Sequence, residues 1–174
     1  MRKLIFITIM LVFFESCSSS TLLNAIEISG RGNVNVLFQD DRDRIVIFSS
    51  KNGSGNEMLS LNTFTKTKKG YEYNSDGEFG VNMHSTIKYE FLTVSRVGHK
   101  TSKVFWGYVA NYPNADHVNF ILEGETHRVL YQSKVNIQEN NIVIKKLPNE
   151  KSLVNIKEFR YEILDKKGKV IVKR

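Results

Sequence analysis

Apolar and polar residues alternate with period two along most of this chain, and the alternation predicts strands. Over 33–38, Val34, Val36 and Phe38 fall on one side of a strand with polar residues between them. The run Asp40-Asp41-Arg42-Asp43 interrupts the pattern, after which Ile45-Val46-Ile47-Phe48 is too apolar for a solvated face and predicts a central strand. Lys51 to Asn56 reads as a loop, its Asn52-Gly53 pair suited to positive φ. Segments 58–67 and 71–74 flank Lys68-Lys69-Gly70 and predict a hairpin. Over 87–94 the alternation turns Ile87, Tyr89 and Phe91 inward and Lys88 and Glu90 outward. The strand at 103–110 is the most aromatic, with Phe105, Trp106 and Tyr108. Segments 117–123 and 126–132 predict a hairpin about Gly124-Glu125, with Phe120 opposite Val129 and Val118 opposite Tyr131. Strands at 141–145, 159–164 and 169–173 follow, and 149–158 reads equally as a short helix or a loop.

About ten short strands with turn residues between them predict an all-β fold, a two-layer immunoglobulin-like sandwich. The composition agrees, since hydrophobic residues at 41% and charged residues at 25% exclude wholesale disorder, and only two prolines interrupt the chain. No step in composition marks a boundary within 25–174, so that segment is expected to be one domain.

The first residues follow a different rule. Arg2 and Lys3 precede an apolar run over 4–14, long enough for the core of a signal peptide and shorter than the roughly 20 residues that span a bilayer. The expected organisation is a signal peptide helix over 1–16, a polar tether over 17–24 containing Ser18-Ser19-Ser20, and the β domain over 25–174. Phe14-Glu15-Ser16-Cys17 resembles a bacterial lipobox, although Glu15 stands where that pattern has a small or apolar residue. The resemblance implies acylation of Cys17 and anchoring, with palmitate or a similar chain, on the extracytoplasmic face of the cell membrane. Cys17 is the only cysteine, so it has no disulfide partner within the chain. Two other readings stay open: plain secretion after cleavage beside a small residue such as Ser18, or an uncleaved anchor.

Removing 1–16 takes away two basic residues and one acidic residue, leaving a net charge of +7 − 1 = +6. Residues 142–174 hold ten basic and four acidic residues, again +6, so the excess is concentrated at the end of the chain. A basic end of this kind suits an anionic lipid surface or an anionic cell-wall polymer. The alternative is that these lysines are outward faces of strands that protect sheet edges. Export makes nucleic acid an unsuitable partner.

The order Trp106-Gly107-Tyr108-Val109-Ala110-Asn111-Tyr112-Pro113-Asn114-Ala115, a hairpin, then Glu162-Ile163-Leu164-Asp165-Lys166-Lys167-Gly168-Lys169-Val170-Ile171 resembles small uncharacterised lipoproteins of Gram-positive, Bacillus-like bacteria. The resemblance covers roughly the last seventy residues. It implies an exported β domain and no particular activity.

Catalytic and metal chemistry is sparse in the sequence. No two of His84, His99, His117 and His127 stand at the spacings that bring ligands together, and in the expected hairpin His117 and His127 are about 17 Å apart at strand rise. Asp40, Asp41 and Asp43, and the stretch Asn74 to Glu78, lack the rest of a calcium loop and read as turns. Phosphate loops, dinucleotide fingerprints and nucleophile elbows are absent from the sequence. No catalytic residue, metal or cofactor is therefore expected. Trp106, Tyr108 and Tyr112 form either a ligand surface or part of the core. The expected function is a surface-anchored binding or structural module. The alternative is a surface enzyme or protease inhibitor whose site is assembled from distant residues.

Overall fold

The apolar strand at 103–110 divides its side chains between two cores, and the architecture follows from that division. The computed structural model describes residues 18–84, 86–97, 102–148, 153 and 155–174. The expected signal segment, Cys17 and His99 lie outside the described residues, as does half of the possible helix over 149–158. A short helix, α1 (Leu22–Ile28), precedes β1 (Gly32–Asp40), β2 (Ile45–Lys51), β3 (Glu57–Thr67), β4 (Gly70–Tyr73), β5 (Phe79–Asn82) and β6 (Tyr89–Arg96). Then come β7 (Lys103–Ala110), β8 (Ala115–Glu123), a 3-10 turn (Glu125–His127), β9 (Val129–Asn136), β10 (Ile142–Lys146), β11 (Glu158–Asp165) and β12 (Val170–Lys173). The protein is therefore mainly β, as the alternation predicts.

The strands form three antiparallel sheets. The first has the order β1-β2-β3-β4, with β5 also paired to β3; the second is β10-β7-β6; the third is β12-β11-β8-β9. Val104, Trp106, Tyr108 and Ala110 of β7 pack with Ile45, Ile47, Leu59 and Leu61 of the first sheet. The alternate residues Phe105 and Val109 pack with Val118, Phe120, Leu122 and Ile163 of the third. The second sheet is thus the middle layer. In the same way β2 sends Ile45 and Ile47 to the second sheet but Val46 and Phe48 to a core shared with Leu22 and Ile26 of α1.

The expected two layers are therefore replaced by a helix and three sheets. The physical reason is that β2 and β7 are apolar on both faces, and a strand in a two-layer sandwich leaves one face in water. Each large side chain buried in these interfaces contributes about 1.5–3 kcal/mol. The middle layer also demands close approach: a Cβ on Gly107 of β7 would lie 1.8 Å from the Phe91 carbonyl oxygen of β6, so only glycine fits.

At the N-terminal side the chain is docked where a free tether is expected. Ser19 is 7% exposed and pairs with Tyr71 through two backbone hydrogen bonds of 2.8 and 2.7 Å. Thr21 then caps α1, its hydroxyl oxygen accepting from the Asn24 amide at 3.2 Å. Leu22, Ala25 and Ile26 provide the buried side of a helix at spacings of three and four.

Candidate functional site

The residues expected to form a ligand surface are mostly interior. Trp106 is fully buried and Tyr108 is 8% exposed, so of the two readings, ligand surface or core, these two residues take the core. Their strand is covered on both sides, and the Trp106 indole N–H donates to the Ser95 hydroxyl at 2.9 Å, so even its polar edge is satisfied. Tyr112 is half-buried and donates its hydroxyl to Glu90, which also accepts from Arg174 at 2.9 Å. Burial, and then the Glu90 contact, pushes the Tyr112 phenol up to about 12. Glu90, expected to face water, is instead the centre of this cluster, while Ile87, expected inward, precedes β6 and is 58% exposed.

The basic C-terminal segment is dispersed by the fold. Lys146 pairs with Asp43, Lys157 with Glu125, Arg160 with Glu123, Lys173 with Glu162 and Arg174 with Glu90. Five of its ten basic residues thus meet carboxylates.

The acidic turn before β2 builds a different feature. The Asp40 carboxylate accepts from the Arg42 and Asp43 amides at 2.8 and 3.1 Å, which is the turn role expected of it. That turn delivers Arg44 in a left-handed conformation, φ 59°, at the mouth of a cleft of about 390 Å³. Arg42, Arg44 and Lys146 supply three positive charges to its lining and Asp43 one negative charge, a balance of +3 − 1 = +2. Thr63, Thr65 and Asn74 add polar groups, and Phe64 forms an apolar wall.

Arg44 is the unusual member. Its guanidinium stands over the Phe64 ring, 5.9 Å from the centroid, and among the described residues its buried Nη1 has no hydrogen-bond acceptor. A buried polar group in this state costs about 1–3 kcal/mol, more when it is charged. A carboxylate or phosphate oxygen is the acceptor whose geometry matches a guanidinium fork. The first and second sheets frame the cleft, through β2, β3 and Val97. Asp43 is held by Lys146, so the negative residue at the rim is already occupied.

The histidines separate into three environments. His84 stacks edge-on against Tyr89 at 5.0 Å, and His117 is 3% exposed beside Asp116. His127 lies with Glu123 and Glu158, a grouping that the sequence spacing does not suggest. The cause is a change of register. The 3-10 turn over Glu125–His127 displaces β9, so Phe120 pairs with Ser133 and Leu122 with Tyr131, four positions from the expected pairing. An even shift keeps the same residues inward but moves His127 out of the ladder and beside Glu123.

Compared with the models of known families, with curated proteins and with solved structures, the chain matches none of them.

Proposed function

We propose that this protein is an exported binding module, held on the extracytoplasmic face of the membrane through an acylated Cys17, that captures an anionic group in the cleft beside Arg44. The observation that carries the binding half is the Arg44 guanidinium, stacked on Phe64 with one nitrogen that has no acceptor among the described residues. An oxyanion supplies the missing acceptor and meets Arg42 and Lys146 at the same cleft. Anionic lipid headgroups and cell-wall phosphate polymers share this chemistry. The cleft is favoured over the C-terminal segment because Lys157, Arg160, Lys173 and Arg174 of that segment already meet carboxylates. The anchor half rests on the sequence, namely the charged start, the apolar run and the single cysteine.

Two experiments test the halves separately. Titration of the full chain with inorganic phosphate, followed by amide chemical shifts, should give saturable changes around Arg44 that Arg44→Leu abolishes. Equal shifts in the variant would remove the cleft from consideration. Labelled palmitate should enter the wild type but not Cys17→Ser, and incorporation by both would discard the anchor. If phosphate binds, glycerol-phosphate polymer and anionic vesicles, compared side by side, identify the source of the oxyanion.

A further inference from the structure

Glu123 ends β8 and Glu158 begins β11, and the two are direct partners in the antiparallel register. Directly opposed side chains share a sheet face, so two carboxylates are set side by side, an arrangement that like charges disfavour unless a cation joins them. The 3-10 turn brings a third group. Thr126 and His127 both adopt left-handed backbone, φ 60° and 56°, and fold the imidazole back over the strand end.

His127 Nδ1 lies 3.5 Å from Glu123 Oε2 and 3.6 Å from Glu158 Oε2. One ligand atom from each of the three residues falls within 4.8 Å of the others. The two nitrogen-to-oxygen separations are long for hydrogen bonds. They fit the edges of a coordination tetrahedron, since two ligands each about 2.05 Å from zinc stand about 3.4 Å apart. Glu123 is the fixed member. Its side chain is 2% exposed, Arg160 occupies Oε1, and Oε2 is left facing the other two groups. His127 and Glu158 are 77% and 61% exposed, which leaves the outer side open to water.

We propose that Glu123, His127 and Glu158 form a zinc site with three protein ligands and one position open to water. An imidazole with two carboxylates suits Zn²⁺ better than the all-oxygen cations Ca²⁺ and Mg²⁺. Arg160 holds the Glu123 carboxylate in place from the side away from the ion, as outer partners of metal ligands do. The site belongs to the third sheet and is independent of the cleft beside Arg44. The competing account is that Arg160 and His127 pair with the two carboxylates and no ion binds, and that account predicts no metal affinity.

The test is calorimetric titration of Zn²⁺ into the untagged full chain after chelator treatment, at neutral pH. The expected result is a saturable site that weakens at least a hundredfold in His127→Ala and at least tenfold in Glu158→Gln. Both substitutions are at exposed positions, and circular dichroism verifies that the variants fold. Co²⁺ in place of zinc should show the intense visible bands of a four-coordinate ion. Absence of a saturable site, affinity unchanged in His127→Ala, or the weak bands of six-coordinate Co²⁺ would each overturn the proposal.

Discussion

Two arginines in the first-sheet region are each stacked on an aromatic ring, and they differ in what lies at the far end of the guanidinium. Arg31 stands 5.3 Å from the Tyr73 centroid and pairs with Glu78. Glu78 also accepts from Ser60 at 2.8 Å and from the Tyr73 hydroxyl, while Asn62 donates to that hydroxyl at 3.0 Å. Arg44 stands 5.9 Å from the Phe64 centroid, and its Nη1 has no acceptor among the described residues. The first cluster is closed, each member answering another, and so its role is to fix β3, β4 and the segment before β5. The second is open at one atom. A closed polar network adds rigidity to a sheet, and an open one carries the cost of a buried donor until an acceptor is supplied.

Removing the centre of the closed cluster should have the largest effect. Glu78→Ala leaves Ser60 and Tyr73 without their acceptor and Arg31 with only Ser29, and should cost about 2–3 kcal/mol, read as a lower urea midpoint. Arg44→Leu should act in the opposite direction. It loses a cation–π contact worth about 0.5–1 kcal/mol but removes an orphaned donor costing about 1–3 kcal/mol, so stability should rise by about 1 kcal/mol while phosphate binding disappears. A stability loss comparable to that of Glu78→Ala would erase the distinction between the two arginines.

Alkaline pH sharpens the comparison further. Burial, and next the hydrogen bond to Glu78, hold the Tyr73 phenol protonated well above its ordinary range. Its folded value is above its unfolded one, so the stabilisation is complete below about pH 10 and declines as the pH rises from there toward the folded value. Urea midpoints at roughly pH 9 and pH 11 should therefore differ, and Tyr73→Phe should shrink the difference. An undiminished difference in the variant would place the alkaline loss elsewhere, with the Tyr112 phenol, pushed up to about 12, as the next group to test. The smallest expected effect is at the open cluster's rim. Asp43→Asn releases Lys146 and should tighten phosphate binding by a few fold, the order expected for one partly exposed charge.

Much of the strand pattern is legible in the sequence because alternation is a local property. The layering was present there too, in a form that needs two segments to be read together. Ile45 to Phe48 and 103–110 are both continuously apolar, and two such strands in different sheets require more faces than a two-layer sandwich has. The grouping of Glu123, His127 and Glu158 was not legible, because it depends on two consecutive non-glycine residues taking left-handed backbone after Glu125. The open state of Arg44 was hidden for a different reason. Its ring partner Phe64 is brought to it by the pairing of β2 with β3, and nothing near Arg44 in sequence reports whether an acceptor arrives with that ring.

The backbone pairing of Ser19 with Tyr71 limits how far a membrane anchor can stand off. From Cys17 to Ser19 is two residues, a contour length of about 7 Å. A lipid on Cys17 would therefore act as a short leash instead of a stalk, and the sheet edge at β4 would rest against the bilayer. Ser18 donates to the Lys69 carbonyl at 3.1 Å, so the turn bearing Lys68 and Lys69 would be the part of the domain set down among the headgroups. An anchored molecule of this kind would be restricted in tilt, and its clefts would face fixed directions relative to the membrane plane.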